Sequence, residues 1–415
     1  MSIQPLYLNL EPNIGVAKGA LYVPDSGPAP QVGILVMHRV DNYLPHPACI
    51  QLSQRGFLML GMNTRFDNNE ELVQFEQVAL DVKAGLEYLR SYPGITHVLL
   101  LGHSGGGPTM SFYQAVAENG LAFSQAPGKL HKSGDELANL PPADGLVLLD
   151  ADSGHDVYRL RSMLPLWPGC QNPEDVDPSL DPFDVQNGYN PNGPSTYSED
   201  FKTRYFRAQS ERMTALIAEA QEKLRLIQAG EWVYPDNDSF LIPRGDAANL
   251  WYLDPSIAHT TTKPRQLLKN DGTIVTQIVE NVRQPQPSYA GPQLNASFNK
   301  GTVILSLTSF ISTQAIRSTN SYDGIEWCSS NNSTNCALMN ITVPLMIATM
   351  GAWIYMCDNE IHYENAKSKD KDFIVIEGAL HEFQPCVPCE SFPGQYSNCE
   401  KNLFDYTAMW INARF

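Results

Sequence analysis

An α/β protein with a mostly parallel sheet and helices on both faces is what this sequence predicts, and three observations carry that reading. Short, continuous apolar runs alternate with segments whose apolar residues recur at helical spacing. This alternation occupies both ends of the chain and is interrupted by a long polar, proline-rich middle. One serine-centred glycine motif, Gly102-His103-Ser104-Gly105-Gly106, stands where an apolar run meets a helical pattern.

Gly33 to Met37 (GILVM) lacks polar alternation, the mark of a strand buried on both faces. Phe57 to Met62 (FLMLGM) is a second such run, and His46 to Arg55 between them has the spacing of a short helix. From Asn69 to Tyr92, Leu72, Phe75, Val78, Ala79, Val82, Leu86 and Leu89 recur at three and four, which predicts an amphipathic helix. Ile95 to Leu101 is the next strand, Pro108 to Ala117 the next helix, and Gly145 to Leu149 a further strand. Strand and helix in alternation favour a parallel sheet, because parallel neighbours need a crossover between them.

After Asp152 the texture changes. Residues 165–200 are rich in Pro, Asn, Asp and Gly and read as an irregular loop. A long helix is predicted over Glu199 to Ala229, its apolar face carried by Phe201, Tyr205, Met213, Leu216, Ala220, Leu224 and Ile227, with Gly230 as its stop signal. Residues 231–300 are polar and proline-punctuated, and Thr302 to Ile311 reads as a strand or the start of a buried helix. The α/β texture returns with a strand at Val343 to Ala348, a helix at Asp358 to Ala366, a strand at Phe373 to Ile376 and a helix at Asn402 to Ala413. The expected organisation is a core built from residues 1–155 and 341–415, with 156–340 inserted as a lid.

The chain of 415 residues carries 45 acidic and 28 basic residues, a formal charge of −17. Nucleic acids and anionic membranes call for clustered Lys and Arg, so neither is an expected partner. No segment approaches the roughly 20 apolar residues of a membrane span. The start lacks a basic segment followed by an apolar run, and the final NARF is not a peroxisomal address, so the expectation is cytoplasmic. A homo-oligomer stays open. Among eight cysteines only Cys386 and Cys389 are closely spaced, and without a second ligand pair no metal site is expected. Reduced structural thiols are the expectation, with a local Cys386–Cys389 disulfide as the alternative.

The motif around Ser104 fits G-x-S-x-G, the nucleophile elbow. Such a serine sits in a strained strand-to-helix turn, so the flanking positions need residues without a Cβ. Its hydroxyl then stands at the sheet edge, and the N–H of Gly105 faces the charge that develops on an attacked carbonyl oxygen. His381 follows the last apolar run by a few residues, where a loop returns a base to the same edge.

With this elbow, strand order and late histidine, the chain resembles the α/β-hydrolase superfamily over residues 20–155 and 340–415. The resemblance implies an eight-stranded, mostly parallel sheet and a Ser–acid–His triad. It places the acid shortly after Gly351, yet Ala352, Trp353 and Ile354 stand there. Asp358 and Glu360 come later, where acids also suit a helix start. Some relatives carry the acid at the end of the preceding strand, which selects Asp150, followed by Glu360 or Asp358, then Asp152.

The resemblance also places a second oxyanion donor in the loop Met37-His38-Arg39-Val40-Asp41, as the backbone N–H of Arg39 or Val40. Arg39 stands where the family usually has glycine; as a side chain it suits an ion pair or a substrate carboxylate. Candidate pocket residues are His38, Tyr43, His46, His103, Trp353, Tyr355 and Phe383, although buried aromatics serve a core as readily.

The expected activity is a serine hydrolase acting on an ester, lactone or thioester through an acyl-enzyme, without cofactor. The lid suggests a moderately large, largely apolar small molecule. A lyase, cyclase or acyltransferase on the same scaffold is the alternative, and a non-catalytic binding protein the third.

Overall fold

The apolar runs become the centre of one sheet. The computed structural model describes residues 1–9, 16–165, 177–285 and 292–415. Its main strands are β1 (Ser2–Asn9), β2 (Val16–Val23), β3 (Val32–His38), β4 (Leu58–Asn63), β5 (His97–His103), β6 (Gly145–Leu149), β7 (Arg265–Leu268), β8 (Ile274–Gln277), β9 (Leu345–Met350) and β10 (Lys371–Ile376). They form a ten-stranded sheet in the order β1-β2-β4-β3-β5-β6-β9-β10-β7-β8.

From β4 to β7 along that order every neighbouring pair is parallel. The pairs β1–β2, β2–β4 and β7–β8 are antiparallel. The expected eight strands are therefore corrected to ten, in a mixed sheet with antiparallel edges. The extra pair, β7 and β8, lies within the segment read as an insertion. Its sequences, RQLL and IVTQ, are too short and too polar to stand out from their surroundings. Leu268 of β7 is paired with Ile376 of β10, so this hairpin continues the core sheet.

Successive side chains of a strand point to opposite faces, which explains the lack of alternation in the central runs. Leu35, Leu58, Leu60, Leu100 and Leu146 pack on one face with Leu86 and Met110 from α2 (Phe75–Ser91) and α3 (Gly106–Asn119). Ile34, Val36, Met59, Leu99 and Val147 pack on the other, against Leu52 of α1 (Pro47–Ser53) and, further along, the C-terminal helix Cys399–Asn412. Each of these side chains is buried, a stabilisation of about 1.5–3 kcal/mol apiece.

Within the segment read as an insertion one cluster of buried residues packs apart from the sheet. Val157 and Leu160 of α4 (His155–Ser162) meet Met213, Ile217, Ala220 and Ile227 of α5 (Glu199–Gln228). The Ser198 hydroxyl caps α5 by accepting from the Phe201 N–H, and Gly230 follows it at a φ of 70° that only glycine takes readily. Of the loop expected at 165–200, residues 166–176 lie outside the described residues. Among the described residues no helix is long and apolar enough to cross a membrane.

Two disulfides, Cys328–Cys336 and Cys386–Cys389, correct the expectation of reduced thiols at those positions. The second closes within one turn of chain, and the first joins residues with no close spacing to announce it. Cys49, Cys357 and Cys399 are free, and Cys170 lies outside the described residues.

The parallel strands all end on one edge of the sheet, and their last residues or the turns after them carry the candidate site residues. His38 ends β3, His103 ends β5, Asp150 follows β6, and the His381 loop follows β10.

Candidate active site

Ser104 lies between β5 and α3 with a φ of 53°, a left-handed conformation that costs a non-glycine residue roughly 1–3 kcal/mol. Its surroundings enforce the turn. A Cβ on Gly102 would come within 2.5 Å of the Gly106 carbonyl oxygen, so only glycine lets strand and helix meet this closely. The Ser104 carbonyl accepts from the Gly107 N–H at 2.9 Å and from the Asp152 N–H at 3.1 Å. These bonds hold the serine over the N-terminus of α3, the positive end of the helix dipole.

His381 comes from the turn after β10 and its Nδ1 lies 2.7 Å from Asp150 Oδ2. Asp150 is wholly buried, with a φ of 44° at the end of β6. Its other oxygen, Oδ1, accepts from the Met350 N–H and the Thr349 hydroxyl, both at 3.0 Å. The carboxylate is thus fixed from one side by β9 and presents its second oxygen to the imidazole. Trp353 stacks on the His381 ring at 5.2 Å between centroids with the planes 16° apart, while Tyr355 meets it edge-on at 5.3 Å. The two rings and one carboxylate leave the imidazole one orientation.

The alternative acids are engaged elsewhere. Asp358 pairs with Arg161 at 2.6 Å. Glu360 accepts from Arg265 at 2.8 Å and from the Thr262 N–H at 2.7 Å. Asp152 accepts from the Gly154 N–H at 3.0 Å and lines the cavity beside Ser104. Burial raises its pKa to about 6.

A chain of three histidines runs beneath the site. The Ala48 N–H donates to His46 Nδ1 at 3.2 Å, so the His46 proton sits on Nε2 and is given to His103 Nδ1 at 3.0 Å. His103 Nε2 then donates to the His381 carbonyl oxygen at 3.0 Å. The two bonds accepted by ring nitrogens, at His46 Nδ1 and His103 Nδ1, require neutral rings. Burial supplies that, lowering His46 to about 3 and His103 well below the usual histidine value.

His46→Gln should therefore change how stability depends on pH. In the unfolded chain His46 takes a proton near pH 6.5, whereas the fold refuses it down to about 3. This contribution is complete above pH 6.5 and is lost as pH falls, because the unfolded state binds the extra proton. Wild type should lose about 1.4 kcal/mol per pH unit relative to His46→Gln between roughly pH 6 and 4, measured by urea unfolding. A difference that does not change with pH would contradict the neutral chain.

Several expected pocket residues lie behind this layer. Tyr43 donates its hydroxyl to the His103 carbonyl at 2.8 Å, and its ring stacks on His46 at 4.6 Å. Phe383 is fully buried, 4.6 Å from the His103 ring, and packs on Phe404. These residues and His103 support the site from beneath. His38 and Tyr355 line the cavity, and Trp353 is the wall behind His381.

The loop after β3 corrects one oxyanion candidate. The Val40 N–H, at 3.2 Å, and the Asp41 N–H, at 2.9 Å, both donate to His38 Nδ1, so the Val40 N–H is committed within its own loop. Arg39 is buried, and its guanidinium is 3.2 Å from Glu70. The ion-pair reading of Arg39 is the one the geometry displays, though beneath the surface. The Gly105 N–H begins the turn into α3, as the motif requires.

The cavity in front of Ser104 has a volume of about 510 Å³. Arg39, Glu70, Asp152, Arg159 and Asp246 give it a charged lining, where the sequence led to an apolar one. Glu70 and Arg159 were not singled out by sequence. His155 and Arg159, four apart on the helix that follows Asp152, were the available signal. Glu70 gave none, because its partner Arg39 is 31 residues away.

Among the described residues His103, His381 and Glu382 form one group with ligand atoms within 4.8 Å of one another. Both His103 nitrogens are spent on His46 and the His381 carbonyl, and His381 Nδ1 on Asp150. What remains is one imidazole nitrogen and one carboxylate, too few to hold a structural metal.

No protein-family model matches the chain, and no curated protein is similar to it in sequence. Among solved structures it is similar to a protein described as DcsB in complex with its substrate analogue, at 13% identity, all of both chains covered and a TM-score of 0.47. Est1E from Butyrivibrio proteoclasticus matches at 9% identity over 99% of this chain and 98% of its own, with a TM-score of 0.43. A bacterial brefeldin A esterase, described as a homologue of human hormone-sensitive lipase, matches at 9% identity over 100% of this chain and 77% of its own, with a TM-score of 0.45.

Proposed function

We propose that this chain is a serine hydrolase of the α/β-hydrolase superfamily that cleaves an ester of a polar small molecule through an acyl-enzyme. The observation that carries the reading is the His381–Asp150 pair at 2.7 Å, on the same sheet edge as a serine held in a left-handed turn. In this mechanism Ser104 Oγ attacks the carbonyl carbon and its proton passes to His381 Nε2. Asp150 keeps the other ring proton on Nδ1 and stabilises the imidazolium. The carbonyl oxygen, now an oxyanion, lies against the Gly105 N–H. Collapse expels the alcohol, which leaves with the proton from His381. Water then repeats the sequence and releases the acid.

The cavity supports a class of substrate. A volume of about 510 Å³ suits a small molecule, and its mixed Arg, Asp and Glu lining favours one with hydrogen-bonding groups around the scissile ester. A lactone or thioester would meet the same machinery.

A fluorophosphonate probe tests the reading, because it phosphonylates only an activated serine. The expected result is one adduct per chain, mapped to Ser104 by mass spectrometry, with p-nitrophenyl acetate turnover lost in proportion. Wild-type protein that takes no label would end the proposal.

A further inference from the structure

The sheet edge provides the Gly105 N–H as one oxyanion donor and leaves open what supplies a second. Of the two main-chain candidates in the loop after β3, Arg39 and Val40, the Val40 N–H donates to His38 Nδ1 at 3.2 Å, as does the neighbouring Asp41 N–H at 2.9 Å, which leaves the Arg39 N–H as the main-chain alternative. A ring nitrogen that accepts from two N–H groups carries no proton, so the proton of neutral His38 is on Nε2. The Asp41 carboxylate lies 3.4 Å from the same Nδ1, further away than its own N–H, and is largely exposed. Burial, with the adjacent Arg39 charge, holds His38 well below the usual histidine value, so the ring stays neutral.

The proton on Nε2 has no acceptor among the described residues. The polar atom it meets is Arg39 Nη1 at 3.4 Å, itself a donor. Both groups face the residue after the serine. A Cβ built on Gly105 would stand 2.3 Å from His38 Nε2 and 2.6 Å from Arg39 Nη1. Gly105 is therefore a glycine because the imidazole N–H occupies the space beside its backbone. His38, Arg39 and Ser104 share the wall of the same cavity.

We propose that the Nε2–H of His38 is the second oxyanion donor, a side chain in the role expected of a main-chain N–H. The inference rests on the hydrolase reading. His38 donates a hydrogen bond to the carbonyl oxygen as negative charge builds on it, and no proton is transferred. A neutral donor suits this role, since it polarises without giving up its proton. The neighbouring Arg39 adds positive potential at the same point, and its pairing with Glu70 fixes where that charge sits.

Two substitutions separate the donor from the support His38 gives its own loop. In His38→Asn the amide oxygen replaces Nδ1 as loop acceptor, and the Nε2 donor is lost. In His38→Gln the amide nitrogen reaches the place of Nε2, and the loop acceptor is lost. With p-nitrophenyl acetate, His38→Asn is expected to lower kcat by about 10²–10³-fold, the usual effect of removing an oxyanion donor, with KM nearly unchanged. His38→Gln should stay within about tenfold of wild type. The Ki of a trifluoromethyl ketone, whose serine adduct places an oxyanion at the same point, should rise in His38→Asn by about the factor that kcat falls. A His38→Asn variant with wild-type kcat, or equal losses in both variants with an unchanged Ki, overturns the inference. Fluorophosphonate labelling of wild type distinguishes the failures. If wild type is labelled and His38→Asn keeps its kcat, only the inference falls; if wild type is unlabelled, the hydrolase reading falls with it.

Discussion

Ser104→Ala is expected to lower kcat on p-nitrophenyl esters by about 10⁴–10⁶-fold, while the melting temperature moves by no more than a few degrees. The substitution removes one oxygen from a half-buried position and leaves the turn in place, since alanine meets the same steric demands at a φ of 53° as serine does. The bonds that shape the turn come from the Ser104 backbone carbonyl, to Gly107 and Asp152, and survive the change. Activity and stability should therefore separate cleanly. His381→Ala is expected to cost a similar factor, and the double variant hardly more than either single one, because nucleophile and base act as one unit. Residual turnover above about one per cent in Ser104→Ala would remove the serine from the mechanism.

Asp150→Asn is the second large effect, a loss of about 10³–10⁴-fold in kcat at neutral pH. Oδ1 accepts from the Met350 N–H and the Thr349 hydroxyl, so an asparagine keeps its carbonyl oxygen there and turns its amide nitrogen toward His381. A donor facing Nδ1 forces the ring proton to Nε2, and the nitrogen meant to take the serine proton is then occupied. Glu360→Gln is the matched control. It weakens the pair with Arg265 and should lower the melting temperature, yet leave kcat within about threefold. A collapse of turnover in Glu360→Gln with Asp150→Asn near wild type would reassign the acid.

The sequence and the structure agree where burial on both faces of the sheet leaves a trace in composition. GILVM, GLVLL and FIVI have no polar positions because both sides of those strands face packed helices, and each is found as a central strand. RQLL and IVTQ leave no such trace. The second of them is exposed along its whole length, so nothing selects for apolar residues there. The elbow was legible because its glycines answer a local steric demand. The choice among Asp150, Asp358 and Glu360 was not, because it depends on distant cations. Arg161 and Arg265 lie 197 and 95 residues from the acids they occupy. The loss of the Val40 N–H was hidden for a similar reason. A histidine that ends a strand gives no sign that it will turn back and collect the two N–H groups that follow it.

The hairpin β7–β8 ties the long middle segment of the chain to the core sheet. It lies within residues 156–340, yet β7 is laddered to β10 in the core, and Arg265 at its start is bound to Glu360 on the helix after β9. Displacing this hairpin would separate three registered residue pairs from β10, so it is held as part of the core sheet and not as a free-standing element.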